Sequence, residues 1–205
     1  MKLKVCGMRE ADNIAALSEL QPDYMGFIFW APSSRYVEKT TPSLPSSIKK
    51  TGVFVDASVD YIQSMIKEHS LQAVQLHGNE TAHYCALVQG FEVEVIKAFS
   101  IMEDVDFGFL KDFETCCDFF LFDTKGELPG GNGYGFDWNI LANYPSKKPF
   151  FLSGGIGPEH AAEIKALLNT DLPLYAIDVN SKFERAPAHK NIDTLKQFKN
   201  ELYEL

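Results

Sequence analysis

The sequence predicts an α/β fold, a single (β/α)8 barrel of eight parallel strands with outer helices, spanning residues 1–205 as one domain. Three observations carry that expectation. Short β-branched or aromatic runs recur with helix-like segments between them, and such strict alternation calls for a parallel sheet with crossover helices. The alternation occurs eight times, which suits closure into a barrel. At 205 residues the chain is at the short end for that fold, leaving brief connections and little room for an appended domain. An open doubly wound sheet is the rival, disfavoured because no GxGxxG follows the first strand.

The expected strands start near Leu3, Tyr24, Thr51, Ala73, Val93, Asp118, Pro149 and Leu174. Between them lie amphipathic segments expected to be helical: Glu10 to Leu20, Ser43 to Lys49, Ser58 to His69, Glu80 to Val88, Met102 to Thr115, Asp137 to Asn143, Pro158 to Leu168 and Ile192 to Leu205. Asp137 before Trp138 is a capping signal, and Pro158 suits a first helical turn.

Composition excludes several function classes. Apolar residues make up 45% and charged residues 23%, ordinary globular values. No apolar run is long enough to cross a bilayer, so no membrane role is expected. The first residues read straight into a strand without a signal-peptide pattern, so the expected location is cytoplasmic. Net charge is −9 with no basic block, which argues against nucleic acid. An anionic ligand would therefore have to be held by local groups. Cys6, Cys85, Cys116 and Cys117 form no CxxC pair and read as reduced thiols. The histidines His69, His77, His83, His160 and His189 show no ligand spacing, so no metal is expected.

In such a barrel the C-terminal ends of the strands line one mouth, where active sites are built. The sixth strand ends on Asp123, and behind it come Gly126, Pro129, Gly130, Gly131, Gly133 and Gly135. An acid ending a buried strand before a glycine-rich loop suits a site, although glycine with proline also marks plain surface turns. The first strand ends Val5-Cys6-Gly7. Cys6 is either a small buried hydrophobe or, at the rim, a base once its thiol pKa of about 8.5 is lowered. Lys4 shares its parity and should point inward one layer below, needing an acidic partner.

The second strand leads to Arg35, whose planar fork suits a carboxylate, although most loop arginines are merely solvated. Asp56 is expected to cap the following helix, and His77 is either a satisfied rim histidine or a ligand contact. Lys97 is expected as a further inward or rim charge. The seventh strand runs into Gly154-Gly155, either a tight turn or an exposed pair of backbone N–H groups for an anion. The eighth ends at Asp178, with Ser181 in a polar turn that could complete a phosphate clamp.

In this order the motifs KVCGM, DYMGFIFW with SSRYV, GVFVD, VQLHGNE, FLFDTK with GGNGYGFDW, LSGGI and IDVNS resemble the phosphoribosylanthranilate isomerase family of tryptophan biosynthesis over essentially the whole chain. The resemblance implies a TIM barrel that performs an Amadori rearrangement on a phosphorylated aminoaldose with neither metal nor organic cofactor. It implies Asp123 as general acid and Cys6 as general base. Arg35 would take the anthranilate carboxylate, Asp178 the bridging amine, and backbone near Gly154, Gly155 and Ser181 the phosphate. The partner would be that small phosphosugar-anthranilate, with monomer and homodimer both open. Asn132 stands where that family commonly has a hydroxyl residue, and Lys182 and Ala188 where glycines are common.

Other readings are a phosphosugar barrel of another kind, or a barrel that binds a phosphorylated ligand without catalysis. A histidine-pathway aminoaldose isomerase would place an aspartate at Cys6, and a pentose-phosphate epimerase needs a metal-ligand set absent from the sequence. In a purely binding protein, Cys6 would be dispensable.

Overall fold

A computed structural model describes residues 1–102, 105–124 and 137–203. Eight parallel strands close on themselves in sequence order: β1 (Lys2–Val5), β2 (Tyr24–Ile28), β3 (Lys49–Phe54), β4 (Ala73–Leu76), β5 (Glu94–Ile101), β6 (Phe119–Thr124), β7 (Phe150–Leu152) and β8 (Leu174–Val179). All eight expected strands are there, displaced by at most two residues at their starts. Closure comes from β1 pairing with β8, which sets Lys4 directly beside Asp178.

Side chains alternate across a strand, and partners in a parallel ladder share a face. The register therefore sorts the whole barrel into two sets. Tyr24, Ile96, Leu121, Phe151 and Ala176 share one face and fill the interior as a cluster of their own. Phe27, Phe54, Val74, Phe120 and Phe122 share the other and pack outward against the helices. At the N-terminal end, Tyr24 donates to Glu94 at 2.9 Å and Lys49 pairs with the same carboxylate, so the barrel bottom is closed by polar groups that satisfy one another. The C-terminal end is left for the site.

The outer layer carries α1 (Ala11–Glu19), α2 (Val59–His69), α3 (Ala82–Gln89), α4 (Ala161–Leu168) and α5 (Ile192–Tyr203). Ser58 and Thr81 cap α2 and α3, accepting from Tyr61 N–H and Tyr84 N–H, each at 3.2 Å. Five expectations need correction. Ser43 to Lys49 is not a helix. It holds one turn, with Ile48 N–H on the Pro45 carbonyl at 2.9 Å, because Pro42 and Pro45 donate nothing and Lys49 belongs to β3.

Within Met102 to Thr115 the described helix is a 3₁₀ segment, Phe107–Phe113, started by the Asp106 carboxylate, and Asp137 likewise starts a 3₁₀ segment, Trp138–Asn143. Asp56 does not cap α2. It adopts φ of 48° and turns its carboxylate to Asn79 N–H at 2.6 Å, leaving Ser58 as the cap. Lys97 faces outward, not inward, since Ile96 and Ala98 take the interior positions. Its ammonium ties down the loop after β4, bonding the Glu80 carboxylate at 2.8 Å and the Gly78 carbonyl at 2.7 Å.

A short hairpin, β9 (Glu184–Ala186) with β10 (His189–Lys190), follows β8 and precedes α5. It stands beside the mouth.

Candidate active site

The inward set ends, on strand after strand, in a cavity of about 190 Å³ at the mouth. The seven residues to which the resemblance assigns a role all line it: Cys6, Arg35, Asp123, Gly154, Gly155, Asp178 and Ser181. Gln75, His77, Asn180 and Trp30 join them. The glycine-rich stretch with Gly126, Pro129, Gly130, Gly131, Asn132, Gly133 and Gly135 lies outside the described residues.

Cys6 is buried, and its sulfur fits because β2 offers Gly26 beside it. A Cβ on Gly26 would stand 2.7 Å from that sulfur. Below it, Lys4 is completely buried and bonds Asp178 Oδ2 at 2.7 Å, which supplies the partner that parity alone left unassigned. Burial lowers the Lys4 ammonium, but Asp178 and Cys6 outweigh burial and hold it above its ordinary value, hence charged. Burial pushes the Cys6 thiol up, against the pull of Lys4 and Lys190. The thiol is therefore not lowered by its surroundings as expected, because desolvating the thiolate costs more than the nearby ammonium returns. Asp178 Oδ1 is buried without a hydrogen-bond partner among the described residues, so one acceptor at the cavity wall is left for a ligand.

Asp123 is buried across the mouth. Its Oδ1 accepts from Thr124 N–H at 2.9 Å, and its Oδ2 lies 3.2 Å from His77 Nε2. His77 Nδ1 is in turn 2.8 Å from Gln75 Nε2, so the ring is held at the rim and bears on the acid. Gly154 makes this corner possible: a Cβ there would stand 2.3 Å from Thr124 Oγ1 and 3.0 Å from Asp123 Oδ1. Its φ of 93° and the 64° of Gly155 are conformations that suit glycine. The N–H groups of Gly154, Gly155 and Ser181 have no acceptor among the described residues, which leaves them to an anion at the place where this fold binds phosphate.

Arg35 reaches the cavity from the loop after β2 but is not solvated. It grips Glu184 of the hairpin with Nε at 2.9 Å and Nη2 at 2.6 Å. The fully buried Lys190 holds the other side of Glu184 at 2.5 Å and also bonds Asn180 Oδ1 at 2.7 Å. Ala188, where glycine is common in the family that the sequence resembles, is buried with φ of 65° and donates its N–H to Glu184 at 3.2 Å. Lys182 needs no such conformation.

Glu184 and Lys190 escaped the sequence reading. The two charges follow the last strand in a stretch without helix or strand periodicity, and Arg35, the partner of Glu184, is 149 residues away, so no local signal marked them. Among the described residues no group of three His, Cys, Asp or Glu could hold a metal ion, and no helix is long and apolar enough to cross a membrane.

Comparison with known proteins bears on this geometry. Residues 3–201 match the family described as N-(5'-phosphoribosyl)anthranilate isomerase. A relative of that name from Parabacteroides distasonis is 43% identical, covering 97% of this chain and 91% of its own length. One from Phocaeicola vulgatus is 42% identical, covering 98% of each. Among solved structures, the phosphoribosyl anthranilate isomerase of Thermotoga maritima superposes with a TM-score of 0.85 at 28% identity over the full length of both chains. Another isomerase of this kind, in complex with reduced 1-(o-carboxyphenylamino)-1-deoxyribulose 5-phosphate, gives a TM-score of 0.83 at 26% identity, again over both whole chains.

Proposed function

This chain belongs to the N-(5'-phosphoribosyl)anthranilate isomerase family of tryptophan biosynthesis, and from that premise we propose that it converts N-(5'-phosphoribosyl)anthranilate to 1-(2-carboxyphenylamino)-1-deoxyribulose 5-phosphate by acid–base catalysis from Asp123 and Cys6. The observation that carries the reading is that an acid from β6 and a thiol from β1 line one cavity together with Arg35 and the Gly154-Gly155 turn. Asp123 gives its proton to the ribose ring oxygen. The C1'–O bond breaks as the nitrogen lone pair moves in, leaving an open-chain protonated Schiff base. Cys6, as thiolate, takes the proton from C2', and those electrons neutralise the iminium to give an enolamine. Tautomerisation, with a proton moving onto C1', yields the ketose.

The surroundings of Cys6 fit that order. Burial raises the Cys6 thiol while Lys4 and Lys190 pull it down, and the cationic Schiff base formed by the first step adds to that downward pull on the base. Asp178 Oδ1 accepts from the bridging amine while Oδ2 stays on Lys4. The N–H groups of Gly154, Gly155 and Ser181 take the phosphate. Local groups thus answer the repulsion of a chain with net charge −9. The same reading takes the chain as one catalytic domain of the cytoplasm, a monomer or homodimer, using no cofactor.

The test is a fluorescence assay of phosphoribosylanthranilate formed in place from anthranilate and ribose 5-phosphate. The parent should consume it, and Cys6→Ala and Asp123→Ala should each lose about 10²–10⁴-fold in kcat while keeping their fold. A folded parent without turnover ends the reading. A Cys6→Ala variant at parental rate removes the base.

A further inference from the structure

We propose that Glu184 is a positioning residue for substrate recognition: it grips Arg35 from one side and so aims the remaining guanidinium N–H groups at an anionic group on the amine half of the substrate. This deepens the isomerase reading and rests on it.

The geometry is specific. A guanidinium has five N–H donors in a fixed fork. Glu184 takes the Nε edge, with Nε at 2.9 and 3.1 Å from its two oxygens and Nη2 at 2.6 Å. That side-on grip leaves both N–H groups of Nη1 and one of Nη2, the end-on pair that fits a second carboxylate. Arg35 lines the cavity, and its side chain keeps 15% of its exposure against 5% for Glu184, so Arg35 stays partly accessible where its partner is buried.

Glu184 is itself held in place. Lys190 and the Ala188 N–H both bind its Oε1, and Lys190 is anchored in turn on Asn180 at the cavity wall. Gly7 lets the first loop pass under this arrangement, since a Cβ there would stand 2.6 Å from both Arg35 Cδ and Asn180 Oδ1. Loops from β1, β2 and β8 therefore interlock around one carboxylate.

Charge bookkeeping supports a ligand over a purely structural ion pair. Among the described residues, Glu184 is the one carboxylate bonded to Arg35 and Lys190, so two cations meet one anion. A largely buried excess of positive charge is costly unless a partner arrives. A carboxylate on the substrate's aromatic amine supplies it, and Glu184 both keeps Arg35 from swinging into solvent and leaves its charge unspent.

Michaelis parameters on two substrates test this: phosphoribosylanthranilate, and the phosphoribosylaniline that lacks the carboxylate, each formed from the amine and ribose 5-phosphate. Parent, Glu184→Gln, Glu184→Asp, Arg35→Ala and the double variant Arg35→Ala with Glu184→Gln are compared. The Gln variant should raise KM for the anthranilate substrate with kcat little changed, so that the preference for anthranilate over aniline, as a ratio of kcat/KM, falls about tenfold, the scale of one weakened charge-assisted contact. In the Arg35→Ala background the same substitution should cost nothing more. Glu184→Asp keeps the charge facing Lys190 but draws the carboxylate back from Arg35, and carries the same expectation if the Gln variant does not fold.

Equal losses on both substrates, a loss confined to kcat, or additive losses in the double variant would overturn the proposal. So would failure of both variants to fold, which makes Glu184 a structural residue. A folded parent that turns over neither substrate removes the isomerase reading first, a result distinct from all of these.

Discussion

The sulfur of Cys6 occupies the space that a side chain on Gly26 would need: a Cβ there would lie 2.7 Å from Sγ and 3.0 Å from the Cys6 Cα. Neither is the far end of a flexible chain, so the strand or the thiol must move. Gly26→Ala should cost about 1–3 kcal/mol of stability through overpacking and lower kcat by displacing the base. Urea unfolding beside the isomerase assay checks both. A stable, fully active Gly26→Ala would mean that the sulfur has room to spare and that its placement is not held by β2.

Lys4 and Asp178 are buried side by side on adjacent strands. Lys4→Met leaves an uncompensated carboxylate and should cost about 3–5 kcal/mol. Replacing both partners, Lys4→Met with Asp178→Leu, should recover most of that loss while abolishing turnover. Lys4 also pulls the Cys6 thiol down, so the limb on which the surviving activity of Lys4→Met rises with pH, where the base loses its proton, should lie at higher pH than in the parent. An unmoved limb would separate Lys4 from the thiol.

Ala188 holds φ of 65° inside the hairpin that carries Glu184. The left-handed conformation costs a residue with a Cβ about 1–2 kcal/mol, and glycine gives back about 0.5–1 kcal/mol through its freer unfolded chain. Ala188→Gly should therefore be neutral to stabilising by no more than about 1.5 kcal/mol. A lower denaturation midpoint for Ala188→Gly would show that packing of the buried methyl outweighs the backbone term.

Glu184 gives the fold an acid-side dependence. Burial pushes its carboxyl up, but the bonds from Arg35 and Lys190 outweigh burial and hold it below the ordinary value of 4.5. A depressed folded-state value contributes stability that is present above the unfolded value and lost as pH falls through the folded one. Thermal melts between about pH 6 and pH 3 should thus fall more steeply below about 4.5 for the parent than for Glu184→Gln. Parallel curves would remove this carboxylate from the acid transition.

Much of the barrel was legible in residue order because strand alternation is a local property. The period of two that buries Cys6 also points Lys4 inward, and the run ending at Asp123 marks its own strand. Gly154-Gly155 announced a turn that only glycine makes easily. Where local signals misled, a competing local rule explains it: the prolines at 42 and 45 removed the donors a helix after β2 would need, and Ser58 was a better cap than Asp56.

What residue order by itself determined was which side chains end each strand and on which face they stand. Who meets whom was decided by closure. Lys4 finds Asp178 across 174 residues, and Arg35 finds Glu184 across 149, because β1 pairs with β8 and the hairpin folds back over the mouth. Periodicity reports the direction of a side chain along its own strand, and pairing across the closed sheet is a property of the whole barrel, so the charges that tune Cys6 and aim Arg35 emerge only once the ring is complete.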